Sequence, residues 1–285
     1  VTAPGHAEPP DIDAEAYILI DANTGRVLCE YNSNTVLYPA STTKVMTALL
    51  AIEMGDMDEI MTASAAAVYD IGKDGMNIGI MPGEELTLED LLNAMMVRSA
   101  NEAANIIAEN LSESREEFIN LMNKRARELG ALNTNFVNPC GAHDDNHYTT
   151  AADLAKIAYH AMKLPKFREV VRKTEHSMSP TNKHSQWDTV LYSTNHLLTG
   201  KHDGDYTVTG IKTGYTNPAG HNLVSSAENS SGVSLIAVVM GVRDYNGSRL
   251  VAEYSRKLLE YGFENYSIQN IIPRNHVIKK DVEVV

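Results

Sequence analysis

Ser41-Thr42-Thr43-Lys44 sets a hydroxyl and an amine three residues apart, and one helical turn brings such positions to the same face. That is a nucleophile beside a potential base. A serine hydroxyl is weakly nucleophilic at neutral pH, and lysine can take its proton only where burial or a nearby cation leaves the amine neutral. The apolar residues after Lys44, Val45, Met46, Leu49, Leu50 and Ile52, predict that burial. A Ser-x-x-Lys arises by chance about once in a chain of this length. Ser41 is nevertheless the only serine with a lysine three positions later.

Ser99-Ala100-Asn101 supplies a second hydroxyl able to relay a proton and an amide able to hold a lysine and a substrate carbonyl together. Ser193-Thr194-Asn195 repeats the pattern, so at least one copy is a decoy, with turn or capping chemistry as its ordinary use. Lys212-Thr213-Gly214 closes an alternating strand and sets a cation and a hydroxyl on a strand edge, with a glycine that would let a substrate backbone approach. Its chance occurrence is roughly one in ten chains, which makes it the most specific of the three.

The elements that must hold these groups follow from periodicity. Residues 16–20 and 27–31 are strand-like around an Asp-Ala-Asn-Thr-Gly turn, predicting an N-terminal hairpin. A helix is predicted from Ser41 to a stop at Gly55, buried on most sides. Helical spacing recurs over 88–97, 101–110, 116–129 and 151–162, with Gly130 closing one segment. Strand signals return at 207–212, 222–227 and 233–240, before a last helix over 248–261. Strands at both ends, helices between them and hairpin-like links predict an α+β fold, an antiparallel sheet built from both termini and flanked by helices, with a mostly helical insertion.

Ser-x-x-Lys, Ser-x-Asn and Lys-Thr-Gly in that order form the motif set of penicillin-binding proteins and β-lactamases. With 58 residues from Ser41 to Ser99 and 113 from Ser99 to Lys212, the chain resembles the low-molecular-mass D-alanyl-D-alanine carboxypeptidases. Ser193 lies too near Lys212 to fit. The likeness runs over roughly residues 15–265 and includes Tyr38-Pro39-Ala40 before Ser41, Gly210-Ile211 and Tyr215-Thr216 around the third motif, and Asn138-Pro139 followed by His147-Tyr148-Thr149-Thr150. Cys140 departs from the Ser, Thr or His expected between that Pro and Gly.

The resemblance implies that Ser41 attacks the carbonyl of the penultimate D-alanine while Lys44, kept neutral near the cation of Lys212, accepts the proton. Ser99 would relay that proton to the leaving amine and Asn101 would hold Lys44 and the substrate amide. Lys212 and Thr213, beside Gly214, would bind the terminal carboxylate of a peptidoglycan stem peptide or of a β-lactam, assisted by Arg243 or, as the favoured choice, Arg249. The oxyanion would lie between the backbone N–H groups of Ser41 and Tyr215. No cofactor and no metal is required, and His143-Asp144-Asp145-Asn146-His147 is read as a polar loop rather than a ligand set. Two rivals remain: a penicillin sensor or silent binding domain, and a β-lactamase. The β-lactamase needs a deacylating glutamate some 36 residues after Ser99, where Thr134, Asn135, Phe136 and Val137 stand instead.

Composition bounds the rest. The 285 residues carry a formal charge of -13, with 37 acidic against 24 basic side chains and no basic run to follow a phosphate backbone, so nucleic acid is not an expected partner. No apolar stretch is long enough to span a membrane. Residues 1–13 read as a disordered leader after a removed secretion signal, 14–265 as the penicillin-binding domain and 266–285 as the truncated start of a small β domain. The resemblance adds a C-terminal membrane anchor beyond this chain and an extracytoplasmic location. Cys29 and Cys140, 111 positions apart, are expected to be unpaired core residues.

Overall fold

The computed structural model describes residues 7–72, 75–187, 190–200 and 204–268. In chain order its elements are β1 (Ala16–Asp21), β2 (Val27–Tyr31), α1 (Lys44–Met54), β3 (Ile60–Thr62), α2 (Ala65–Tyr69), β4 (Glu85–Thr87), α3 (Leu88–Asn93), α4 (Asn101–Asn110), α5 (Arg115–Glu128), α6 (Ala151–Ala161), α7 (Pro165–Val171), β5 (Glu175–His176), β6 (Leu191–Tyr192), α8 (His196–Thr199), β7 (Tyr206–Thr216), β8 (Gly220–Asn229), β9 (Ser234–Val242) and α9 (Gly247–Asn265). A 3-10 turn occupies Ala40–Thr43 and a π turn Ala94–Arg98.

Five strands form one antiparallel sheet in the order β2-β1-β9-β8-β7. The N-terminal hairpin therefore pairs with the last strand, and β7 is left as an edge. Strand alternation divides two cores between the faces. Ile18, Ile20, Val224, Ile236, Val238 and Met240 pack with the helical insertion on one side, while Leu19, Leu223, Leu235, Ala237 and Val239 pack with α9 on the other. Because both faces are covered, β9 is apolar at consecutive positions instead of alternating with polar ones.

The α+β expectation is met, and the predicted strands and helices lie where periodicity placed them. Two helices differ in a way that matters for the site. The segment expected as one helix over 88–97 leaves α geometry after Asn93 and finishes as the π turn, at whose end Ser99 adopts a left-handed conformation, φ 69. Before α1, Ala40 is also left-handed at φ 48, so the chain enters through the 3-10 turn and the α-helix starts only at Lys44. Such conformations cost a non-glycine residue about 1–2 kcal/mol and persist only where the surroundings impose them. Gly55 ends α1 with an extended backbone; a Cβ there would lie 2.4 Å from Leu88 Cδ2, so a larger residue would have to displace that side chain.

Cys29 and Cys140 are buried and unpaired. Within the segment read as a leader, residues 7–13 form no helix or strand, yet Ile12 joins the α9-side core and the Tyr261 hydroxyl donates to the Ala7 carbonyl. The C-terminal β domain expected over 266–285 lies outside the described residues from 269 onward.

Candidate active site

Ser41 sits in the 3-10 turn at the floor of a cleft of about 340 Å³. The lining comes from Ile71, Gly72, Gly75 and Met76, from Tyr215, Thr216, Asn217 and Pro218, and from Gly141, Ala142 and His143. Backbone contacts fix the turn. Asn222 Nδ2 donates to the carbonyls of Tyr38 and Pro39, at 2.9 and 3.1 Å, while its Oδ1 accepts from the Gly241 N–H at 2.9 Å. The His147 Nδ1 accepts from the Val137 N–H, which leaves Nε2 carrying the proton donated to Thr43 Oγ1 at 2.8 Å. Burial pushes that imidazole down to about 4, consistent with a neutral structural histidine.

Lys44 is fully buried, and its Nζ lies 2.9 Å from Ser41 Oγ, 2.6 Å from Asn101 Oδ1 and 2.6 Å from the Cys140 carbonyl. This set suits a neutral amine. Two N–H bonds serve the two carbonyl-type oxygens, and the lone pair faces the Ser41 hydroxyl, whose proton it can accept. Desolvation lowers Lys44 from 10.5 to about 8, against the electrostatic pull of Cys140 and Glu102.

Lys212 is also buried, 1% exposed, and held well below the ordinary lysine range, first by burial and then by Lys44. The expectation that the cation of Lys212 keeps Lys44 neutral is therefore revised. Burial acts on both amines, and each further disfavours a second proton on the other. Gly214, two positions on and on the same strand face, presses on the nucleophile's own turn: a Cβ there would lie 2.8 Å from the Pro39 oxygen and 3.0 Å from the Ser41 nitrogen. The chain's own backbone, more than any substrate, needs this glycine. Thr213 Oγ1 bonds Thr194 Oγ1 at 2.6 Å, while Asn195 caps α8 by accepting from the Leu197 and Leu198 N–H groups. The second Ser-x-Asn is thus capping chemistry, with one residue touching the third motif.

Asn101 lines the cleft, while Ser99, buried two positions before it, is not among the lining residues. Asn101 uses its whole amide, Oδ1 toward Lys44 and Nδ2 toward the Ile71 carbonyl at 2.9 Å, and its N–H donates to the Met76 carbonyl. Tyr215 is half exposed at the rim and stacked on His221. Arg249 does not line this cleft, and neither do Lys212 and Thr213; it lines a depression with His196, Leu197 and Arg256, in the first turn of α9. Arg243 is engaged by Glu15 and the Pro218 carbonyl. His143 joins the cleft wall, so the two histidines of the polar loop serve different ends.

Sequence reasoning missed the Cys140 carbonyl, which touches Lys44 directly; every residue has a carbonyl, so no side-chain pattern could reveal it. It also missed Asn222 and Glu102. Asn222 left a readable trace, since an asparagine inside an apolar strand is unfavourable without a specific bond.

The D-alanyl-D-alanine carboxypeptidase family matches residues 3–244. The D-alanyl-D-alanine carboxypeptidase DacF of Bacillus subtilis is 34% identical over 274 residues, covering 94% of this chain and 67% of that protein. Penicillin-binding protein 5 of Haemophilus influenzae superposes with a TM-score of 0.81 at 33% identity, over 90% of this chain and 73% of the other. A Streptomyces DD-transpeptidase gives 0.82 at 28% identity, over 90% and 99%. The chain spans about two thirds of the length of the curated relatives it matches. With a serine, a desolvated lysine and an asparagine amide joined at one buried nitrogen, on a fold shared with these proteins, the chain belongs to the D-alanyl-D-alanine carboxypeptidase family.

Proposed function

We propose that this chain removes the terminal D-alanine from peptidoglycan stem peptides through an acyl-enzyme on Ser41, and that β-lactams acylate the same serine. The observation that carries this reading is the convergence of Ser41 Oγ, Asn101 Oδ1 and the Cys140 carbonyl on Lys44 Nζ, which in its neutral form can donate to the two carbonyl oxygens and turn its lone pair to the Ser41 hydroxyl. Ser41 Oγ forms a bond to the carbonyl carbon of the penultimate D-alanine as its proton passes to Lys44. The tetrahedral oxyanion is held by the N–H groups of Ser41 and Tyr215. Collapse breaks the C–N bond, and the proton leaves Lys44 for the departing amine with Ser99 as relay. Water, deprotonated by the same lysine, then cleaves the ester and restores the hydroxyl. A β-lactam enters the first half of this sequence but keeps its leaving nitrogen tethered.

Lys212 and Thr213 supply the cation and hydroxyl for a free terminal carboxylate, a bond that would favour the protonated form of Lys212 once the substrate is in place. No carboxylate lines the cleft among the described residues, which supports slow release of a penicilloyl group. The proposed site of action is outside the cytoplasm, where peptidoglycan is built. No described helix is long and apolar enough to cross a membrane.

The test is D-alanine release from an N-acylated peptide ending in D-Ala-D-Ala, with intact-mass analysis after penicillin. One D-alanine per cleavage and a single adduct lost in Ser41→Ala are expected. An adduct that survives Ser41→Ala, or an acylated enzyme that releases no D-alanine over hours, refutes the carboxypeptidase assignment.

A further inference from the structure

Glu102 follows Asn101 in the first turn of α4 and is 1% exposed, a rare position for a carboxylate without a paired cation. Its Oε1 accepts the Ile78 N–H at 2.6 Å, while Oε2 is buried with no hydrogen-bond partner among the described residues. The neighbouring residue binds the same segment, through the Asn101 N–H to the Met76 carbonyl and Asn101 Nδ2 to the Ile71 carbonyl. Gly75 leaves no room between them, since a Cβ there would lie 2.8 Å from Asn101 Nδ2. Ile71, Gly72, Gly75 and Met76 line the same cleft as Ser41 and form its wall in this segment. Two consecutive residues thus hold that wall, one of them also holding the catalytic amine.

We propose that Glu102 is a positioning residue of the Ser41 site: its carboxylate fastens the cleft wall at Ile78 and, next in the chain to the Asn101 that holds Lys44, supplies a buried charge that acts on that amine. This rests on the reading of Ser41 and Lys44 as nucleophile and base. The two roles are physically separable. The bond to Ile78 sets where the wall stands, and hence how a substrate is seated. The charge favours the protonated amine, so it holds Lys44 above the value that desolvation alone would give. Glu102 is itself shifted upward by burial, against the backbone N–H groups of Ile78, Glu102 and Gly79 and, least, the charge of Lys44. The groups that share its field are Lys44 on α1 and, through Lys44, Lys212 on β7, Cys140 and His147. Lys73 and Asp74 of the wall segment lie outside the described residues.

Two substitutions divide the roles. Glu102→Gln keeps an oxygen for the Ile78 N–H but removes the charge, so Lys44 loses its proton more readily. Glu102→Asp keeps the charge but, one methylene shorter, cannot reach Ile78. The readout is acylation of the full chain by a fluorescent penicillin, followed against pH and against penicillin concentration. For Glu102→Gln the rising limb of the pH profile should move toward lower pH by roughly one unit, with half-saturation nearly unchanged. For Glu102→Asp the limb should stay in place while the half-saturating concentration rises about tenfold, as a displaced wall seats the ligand poorly. A Gln profile superimposed on the wild type removes the electrostatic role, and an Asp variant with wild-type half-saturation removes the fastening role. If Glu102→Gln fails to fold, Glu102→Asp still decides the second role, and a shift of its limb would contradict the first. A wild-type chain that penicillin does not acylate would sink the Ser41 assignment instead.

Discussion

Acylation of Ser41 should accelerate with pH as Lys44 gives up its proton, and the structure sets how steeply. Burial brings Lys44 from 10.5 to about 8. The second-order rate constant for penicillin acylation reports groups of the free enzyme. With a midpoint near 8, roughly one tenth of the enzyme holds neutral Lys44 at pH 7 and roughly nine tenths at pH 9, so the rate should climb about tenfold and level off. A lysine left at its ordinary value would be about 0.03% neutral at pH 7 and would still be rising at pH 9, after a climb of about a hundredfold. The difference between these two curves measures the desolvation of Lys44. Because Lys212 is buried with it and lowered in the same direction, the observed midpoint belongs to the pair. Stopped-flow mixing with fluorescent penicillin between pH 6 and 9.5, with intrinsic penicillin hydrolysis subtracted, gives the profile. A flat profile would show that no titrating base takes the serine proton, and a hundredfold climb would show that burial does not act. Lys44→Arg completes the argument: a guanidinium stays protonated at every pH of the assay, and acylation should fall by about 10² to 10⁴. Acylation within about a factor of three of wild type would refute the base assignment.

Gly214→Ala should lower acylation by about 100-fold with the fold retained, because its Cβ meets backbone atoms of Pro39, Ser41 and Thr42 that cannot rotate away; an unchanged rate would show that the turn can yield. Cys140→Ser should acylate within about threefold of wild type, since Lys44 binds the carbonyl and not the thiol; a loss above about tenfold, read with the same penicillin, would assign a role to the sulfur. His147 bears on stability. Its folded value of about 4 lies below the ordinary 6.5, so the unfolded chain binds the extra proton and stability, complete above pH 6.5, is lost as pH falls toward 4. Urea unfolding should show wild type losing about 3 kcal/mol more than His147→Gln between pH 7 and pH 4; parallel losses would mean that His147 is not held neutral.

Much of this protein was legible in the order of its residues. Helix and strand periodicity located the long elements because burial of an amphipathic or fully apolar face leaves a local trace, as in β9 and α1. The three motifs named Ser41, Lys44, Ser99, Asn101 and Lys212 because side chains with distinct chemistry recur at readable spacings. Position on the fold was another matter. Arg249 looked as available as any arginine near the third motif, and only the tertiary structure shows that it lines a depression with His196, Leu197 and Arg256 instead of the cleft around Ser41. The glycine of Lys-Thr-Gly was visible, but its reason was not, since the Pro39–Thr42 backbone that crowds it lies more than 170 residues earlier. The Cys140 carbonyl, the Asn222 clamp and the Ile78 N–H at Glu102 are long-range or main-chain contacts. Such groups have the same chemistry at nearly every position, so sequence cannot distinguish one from another. Tertiary packing selects which of them meet a buried amine or carboxylate, and with that selection it fixes the proton affinity of Lys44.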